Sequence, residues 1–370
     1  MRLTLFWSYY QGYIQSIYSA YSGLEQKSYQ DQLSVFLSDH FGWLPALAKR
    51  LESLGHEVQI LIVNSKPLQR RWAEENGVDF KQKNWQYEIA YEQVKDFQPD
   101  ILWIGSMFTY FGEYLQRLKP LCRKIFAWIA CPSPNSLNLS GVDCVLTSHA
   151  NFQNSFQRQG QASERVLPAF EPNILDRSNN NVQKNVACSF VGNLSWAHLK
   201  RIQVIRELTE YTPLQIWGDL PRLRSRGLLS KGFISAYFTA RSVKSRVSAS
   251  VWGMNMYDVL AQSAMTVNVH GEIAEGIAGN MRMFEATGIG VLLLTEDAPN
   301  IKELFEPNVE IVTYTSTSHL IDKITYYIKH PKECSEIAQA GQQKTLSAHN
   351  TVCRAHEVLA IFDKYLNSSS

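Results

Sequence analysis

Two stretches of strand–helix alternation, divided by one polar segment, constrain this chain more than any other feature. In the first stretch, residues 2–9 read as a strand and lead into a tyrosine- and glutamine-rich run that ends near Asp39. FGWLPALAKRLESLGHEVQILIV then sets Trp43, Leu44, Leu47, Leu51 and Leu54 at helical spacing and stops at Gly55. It continues over 58–63 as an apolar run of the kind buried in parallel sheets. The pattern returns with a helix near 85–97 and the strand ILWIG, then KIFAWIA, DCVLTS, a helix from Asn151, and RVLPAF. Strands joined through helices need right-handed crossovers, so the predicted sheet is parallel and covered on both faces.

The polar segment EPNILDRSNNNVQKN, residues 171–185, has no apolar periodicity and reads as an interdomain linker. Beyond it the alternation restarts: NVACSFVGN, a helix over 196–210, LQIWG, a helix over 256–262, TVNVH, a helix over 280–287, GVLLLTE, EIVTYT and a helix over 319–329. Two further helices close the chain, and the last is of a kind that crosses back over the first domain. The expected class is α/β with two Rossmann-like domains, 1–175 and 185–350, followed by a crossover helix and tail at 351–370. A length of 370 residues fits two domains.

Composition narrows the partners. The 36 basic and 34 acidic residues nearly cancel, leaving no global field that would argue for nucleic acid. The N-terminus lacks the apolar core of a signal peptide, and no stretch reaches the length of a membrane helix, so the expected location is the cytoplasm. The six cysteines form no C-x-x-C pair, which argues for reduced, buried thiols and against zinc or disulfide frameworks.

Several signatures are missing: G-x-G-x-x-G after the first strand, G-x-S-x-G, H-E-x-x-H, and an Asp-x-Asp triplet to hold a cation on a diphosphate. GLLSKG, 227–232, has the glycine spacing of a P-loop but continues with Phe233, and reads as a loop. The informative block is VHGEIAEGIAGNMRMFEATGIGVLLLTE. Its glycines lead to Asn280, an N-cap residue type, and a helix start there aims amides and a positive dipole at the crevice beyond the sheet. Arg282 and Glu285 share a helical face, where a carboxylate can accept from both hydroxyls of a ribose and a guanidinium can fork onto phosphate. The bland alternative is a surface ion pair.

Gly192 and Asn193 close FVGN, Gly218 closes QIWG after Trp217, and Asn268 and His270 bracket the end of TVNVH. All fall at the carboxyl rim of the second sheet, where α/β folds bind ligands. His270 read alone suits a structural histidine, and Trp217 a core tryptophan that could otherwise flank a base. Between 200 and 247, ten basic side chains face three acidic ones, either as a solvated surface or as an electropositive lip for a diphosphate or anionic lipid-linked acceptor.

SFVGNLSWAHLKRIQVIREL, VWGMNMYDVLAQSAMTVNVHGEIAE, GNMRMFEATGIGVLLLTEDAPNIKELFEP and HNTVCRAHEVLAIF resemble, in that order, the C-terminal half of the CgeB-like, spore-maturation-type glycosyltransferases. FGWLPALAKRLESLGHEVQILIVNSKPLQRRWAEENG is similar to their N-terminal half. The resemblance implies a GT-B fold with a nucleotide-sugar donor bound by the second domain and no metal or other cofactor. It implies transfer to a glycan, lipid-linked or small-molecule acceptor, while the charge balance speaks against a nucleic acid partner and the basic surplus over 200–247 for peripheral membrane contact. In the related E-x7-E glycosyltransferases the second glutamate holds the donor ribose, and MFEATG puts Glu285 there. The first glutamate falls on Ile277, a departure, with Glu272 and Glu275 on the same loop. Gly192 and Asn193 would lie against the diphosphate, joined by Arg201 or Arg282 for leaving-group charge. Asp39 or His40 would serve as base if the anomeric centre inverts. His270, at the rim, is the third titratable candidate for catalysis. A sugar-nucleotide epimerase and a catalytically silent assembly protein are the competing readings.

Overall fold

The structure is a computed structural model that describes residues 1–105, 107–110, 112–134, 137–177, 183–194, 199–220, 238–239, 241–270 and 275–367. GLLSKG, Gly271, Glu272 and the basic residues Arg222, Arg224, Arg226 and Lys231 lie outside them. The chain forms two compact units, Met1–Leu167 with Thr351–Ser370, and Pro168–Asn350.

The first unit is built on six parallel strands, β1 (Arg2–Trp7), β2 (Glu57–Ile62), β3 (Ile101–Ile104), β4 (Lys124–Trp128), β5 (Cys144–Thr147) and β6 (Ser163–Arg165), in the order β2-β1-β3-β4-β5-β6. The tyrosine-rich run after β1 folds into two helices, Gln11–Ala20 and Tyr29–Ser38. The second is capped by Ser28, whose hydroxyl accepts from the Asp31 N–H at 3.1 Å. Helix Trp43–Ser53 buries Trp43, Leu44, Leu47, Ala48 and Leu51, whereas Leu54, expected on the same face, follows the last turn and is exposed. The strand expected at RVLPAF forms earlier, as the short β6, which takes only Arg165 from that stretch; Pro168 cannot donate to a ladder.

The second unit also has six parallel strands, β7 (Val186–Val191), β8 (Leu214–Trp217), β9 (Val247–Ser248), β10 (Ser263–Asn268), β11 (Leu292–Glu296) and β12 (Val312–Tyr314). Their order is β12-β11-β10-β7-β8-β9. Cys188, Phe190, Ile216, Val267, Leu292 and Leu294 from the strands meet Ile202, Ile205, Leu320 and Ile324 from the helices in one core. Residues 168–175, placed by the sequence pattern at the end of the first domain, pack in this unit. The Phe170 ring lies where a Cβ on Gly288 would approach it to 2.3 Å, and its N–H donates to the His349 carbonyl at 2.9 Å.

Helix Thr351–Asn367 belongs to the first unit. Phe362, fully buried, meets Trp103 and Phe126 edge-on at 5.5 and 4.7 Å between ring centroids. The final helix therefore fills the core begun by β3 and β4. Truncating a buried phenylalanine costs about 3–5 kcal/mol. Phe362→Ala should lower the denaturation midpoint of the first unit correspondingly, read by chemical unfolding followed through tryptophan fluorescence.

Candidate donor site at the winding reversal

In the second sheet the chain winds outward from β7 through β8 to β9, then returns to the other side of β7 with β10. The carboxyl ends of β7 and β10 thus flank the point where the winding reverses, the place where open α/β sheets leave a crevice. β7 and β10 pair with each other only as far as Ser189 and Thr266, so carbonyl groups beyond these residues have no partner in that ladder. Two arginines satisfy them. Arg201 donates from Nη2 to the Val269 carbonyl at 3.0 Å and from Nη1 to the Asn193 carbonyl at 3.4 Å, bridging the ends of the two strands. Arg282 donates from Nη2 to the Val191 carbonyl at 3.2 Å and from Nη1 to Met256 Sδ at 3.1 Å.

The neighbouring β8 end is fixed by close backbone approach. Gly192 N–H donates to the Trp217 carbonyl at 2.9 Å, and the Asp219 N–H reaches Asn193 Oδ1 at 3.4 Å. A Cβ on Gly218 would sit 2.0 Å from the Gly192 carbonyl oxygen, so only glycine lets the two turns meet. Trp217 is half-buried at the end of β8. Gly218→Ala must push the turns apart, at a cost of about 1–3 kcal/mol for overpacking. Its thermal midpoint should fall accordingly in a melting scan.

Asn280 takes the N-cap position of helix Met281–Gly288 by its backbone, φ −76° and ψ 157°, but its side chain does not cap the helix. This corrects the expected role. Its amide instead pairs reciprocally with Asn268, at 2.9 and 3.0 Å, while Asn268 Nδ2 also donates to Thr295 Oγ1 at 3.0 Å. The first-turn amides of the helix are left without a side-chain acceptor from their cap. The preceding loop is pinned by Asn300, which accepts from the Ala278 N–H at 2.9 Å and donates to the Ala278 carbonyl at 2.8 Å. Glu275 is exposed and left-handed, with φ 52°.

Glu285 is 6% exposed, and its Oε2 meets Arg282 Nη1 at 2.8 Å. Burial pushes its carboxyl above the usual range, and the Arg282 charge opposes that shift. No other donor among the described residues reaches this carboxylate. The i,i+3 pair is therefore no surface decoration: it lies inside the unit, with Arg282 tied to the end of β7.

His270 is 8% exposed. Its Nε2 lies 3.2 Å from Thr295 Oγ1, and its buried Nδ1 has no hydrogen-bond partner among the described residues. Burial lowers its pKa, Glu296 opposes the shift, and Arg201 and Lys200 add to it. The ring is thus held neutral. In the unfolded chain it takes up a proton near its ordinary pKa of about 6.5, so stability present above that pH is lost as pH falls. Wild-type protein should lose stability more steeply between about pH 7 and 5 than His270→Gln, in denaturation series across that range.

Glu296, Asn300, Thr295 and Tyr314 were not among the sequence candidates, although all serve this rim. Glu296 accepts from Lys200 Nζ and from the His270 N–H, each at 2.7 Å, and the Tyr314 hydroxyl donates to the Asn268 carbonyl at 2.9 Å. The only available signal was position: Thr295 and Glu296 end the strand GVLLLTE.

In the first unit the winding reverses between β1 and β3. The Trp7 ring lies between Gly42 and Gly105, where added Cβ atoms would each come within 2.9 Å of it. Tyr9, Tyr13, Phe36 and Phe41 form an aromatic cluster beside it, with centroids 4.5 to 6.0 Å apart. Asp39 ends helix Tyr29–Ser38, while the N-cap of the Trp43 helix is Gly42 with φ 94°. Asp39 therefore closes the preceding helix rather than opening the next, and its charge bears on the buried Tyr9 and Tyr13 hydroxyls. His40 is half-buried and left-handed, φ 51°.

A cavity of about 630 Å3 in the second unit opens elsewhere, at the amino ends of the strands beside Ala187, Ala264 and Met265, and includes none of these residues. Among the described residues no group of three His, Cys, Asp or Glu side chains is placed to hold a metal ion, and no helix is long and apolar enough to cross a membrane.

Residues 200–360 match the model of a family described as glycosyl transferase-like. No curated protein sequence matches the chain. Among solved structures, a glycosyltransferase from Rickettsia africae aligns with a TM-score of 0.59 at 14% identity, covering 100% of this chain and 99% of that one. HepE from Anabaena, in complex with UDP and glucose, aligns with a TM-score of 0.62 at 11% identity, covering 98% and 100%. AviGT4, a glycosyltransferase of avilamycin A biosynthesis, aligns with a TM-score of 0.59 at 13% identity, covering 100% and 99%. With two six-stranded parallel sheets and these neighbours, the chain has the α/β fold of the GT-B glycosyltransferases.

Proposed function

We propose that this protein is a glycosyltransferase of the CgeB-like type that transfers a sugar from a nucleotide-diphosphate donor to a glycan or small-molecule acceptor without a metal ion. The observation that carries the reading is the buried Arg282–Glu285 pair on the helix that starts at the winding reversal. Glu285 engages Arg282 through Oε2, and Oε1 remains for a vicinal diol. A carboxylate held in low dielectric makes strong, directional bonds to two hydroxyls, the recognition a ribose needs.

The diphosphate would lie over Gly192, Asn193 and the uncapped start of helix Met281–Gly288, where main-chain amides and the helix dipole favour negative charge. Both arginines are engaged with carbonyls of the rim. In this reading they act first as struts, and their remaining N–H groups meet the departing diphosphate. Trp217 and Gly218 would border the nucleoside. His270, neutral and enclosed, suits orienting the rim better than proton transfer in bulk water. In the first unit, Asp39, whose charge bears on the buried Tyr9 and Tyr13 hydroxyls, would take a proton from an acceptor hydroxyl, with His40 beside it in sequence as the other candidate base. Basic residues in 200–247 would favour an anionic acceptor, consistent with work on the cytoplasmic face of a membrane.

HepE in complex with UDP-glucose makes UDP the first donor nucleotide to try. Calorimetric titration with UDP, GDP, dTDP and CDP should identify one ligand. Glu285→Ala should weaken it by roughly tenfold or more, the loss expected when charge-assisted bonds to a sugar diol are removed. Unchanged affinity in that variant would remove the ribose contact from the reading.

A further inference from the structure

Glu296 holds a position that the proposed function leaves unexplained. It ends β11 beside the winding reversal, with its side chain 14% exposed. Its two oxygens take separate donors: Oε1 meets the Lys200 ammonium at 2.7 Å, and Oε2 accepts from the His270 main-chain N–H at 2.7 Å. Lys200 is adjacent to Arg201, whose guanidinium bridges the β7 and β10 ends, and both cations bear electrostatically on His270. An ammonium and a main-chain amide converging on an anion, next to a guanidinium, form the donor set that binds a phosphoryl group. Here the anion is a carboxylate of the chain itself.

We propose that Glu296 is a built-in placeholder for the donor's diphosphate: it occupies Lys200 and the His270 amide in the empty site and must yield them when the nucleotide binds. The inference rests on the donor site proposed above. It differs from a scaffolding role in the sign of its consequence. A strut, once removed, loosens the rim and weakens the ligand. A placeholder, once neutralised, releases two donors, raises the local positive charge by one unit, and tightens the ligand. Lys200 is largely exposed while Glu296 is largely enclosed, so the exchange needs only rotation of the lysine toward the ligand.

The test is calorimetric titration of the full chain with UDP, inorganic pyrophosphate and uridine. Glu296→Gln should bind UDP and pyrophosphate about 3- to 10-fold more tightly at low salt, with the gain shrinking as salt screens the charges. Uridine, which has no phosphate, should bind both proteins alike. Lys200→Ala should weaken UDP, and the double variant should lose most of the gain seen in Glu296→Gln. Glu296→Asp, too short to span both donors, should give an intermediate gain and guards against a folding defect in Glu296→Gln. If Glu296→Gln and Glu296→Asp both melt like wild type and bind UDP and pyrophosphate equally or more weakly, the placeholder is overturned. Loss of UDP affinity in Glu285→Ala beside that result would leave the ribose contact standing. If wild-type protein binds no nucleotide at all, the donor reading fails, and pyrophosphate alone then decides the placeholder by the same comparison.

Discussion

In the second sheet β7 and β10 pair with each other only as far as Ser189 and Thr266, and the second unit depends on how the carbonyl groups beyond those residues are satisfied. Val191, Asn193 and Val269 present them, and the guanidinium groups of Arg201 and Arg282 reach them from two different helices. Buried main-chain acceptors without partners are costly, whereas planar cations with several donors can serve two carbonyls and still face outward. The arginines thereby tie the ends of β7 and β10 to the two helices that carry them.

Charge balance at this rim is local and deliberate in its geometry. Arg282 is countered by Glu285 within one helical turn, and Lys200 by Glu296 from the end of β11. Neither pair is a surface bridge of negligible worth, because one partner in each is enclosed. Enclosed carboxylates raise the cost of leaving a cation alone. His270 contributes no charge of its own, since burial keeps its ring neutral between the two systems.

Much of this was legible. Helical spacing at Trp43–Ser53, the apolar runs ending at Val63 and Ile104, and the strand–helix order after Asn185 all correspond to elements in the structure, because burial of a periodic face is a local property of the chain. Arg282 and Glu285 were legible as a pair because three residues in a helix always share a face. Other assignments failed for a common reason. Asn280 looked like a cap, yet its amide found a better partner in Asn268, twelve positions away in sequence and on another element. Residues 168–175 looked like the end of the first domain, yet Phe170 packs on Gly288 and bonds to the His349 carbonyl in the second unit. Side chains with several possible partners are decided by what the fold brings near.

The sequence by itself determined most strands, their parallel pairing and the rim on which polar residues would gather, since periodicity, glycine and crossover handedness act over short spans; it did not mark helices Gln11–Ala20, Tyr29–Ser38 and Lys66–Glu75 or strand β9. Only the tertiary structure decided that Glu296 would meet Lys200 and the His270 amide, that Asn300 would hold Ala278, and that the final helix would place Phe362 against Trp103 and Phe126. Hydrogen bonds and ion pairs between distant segments depend on ångström-scale distances that strand order and packing set, and no local pattern encodes those distances.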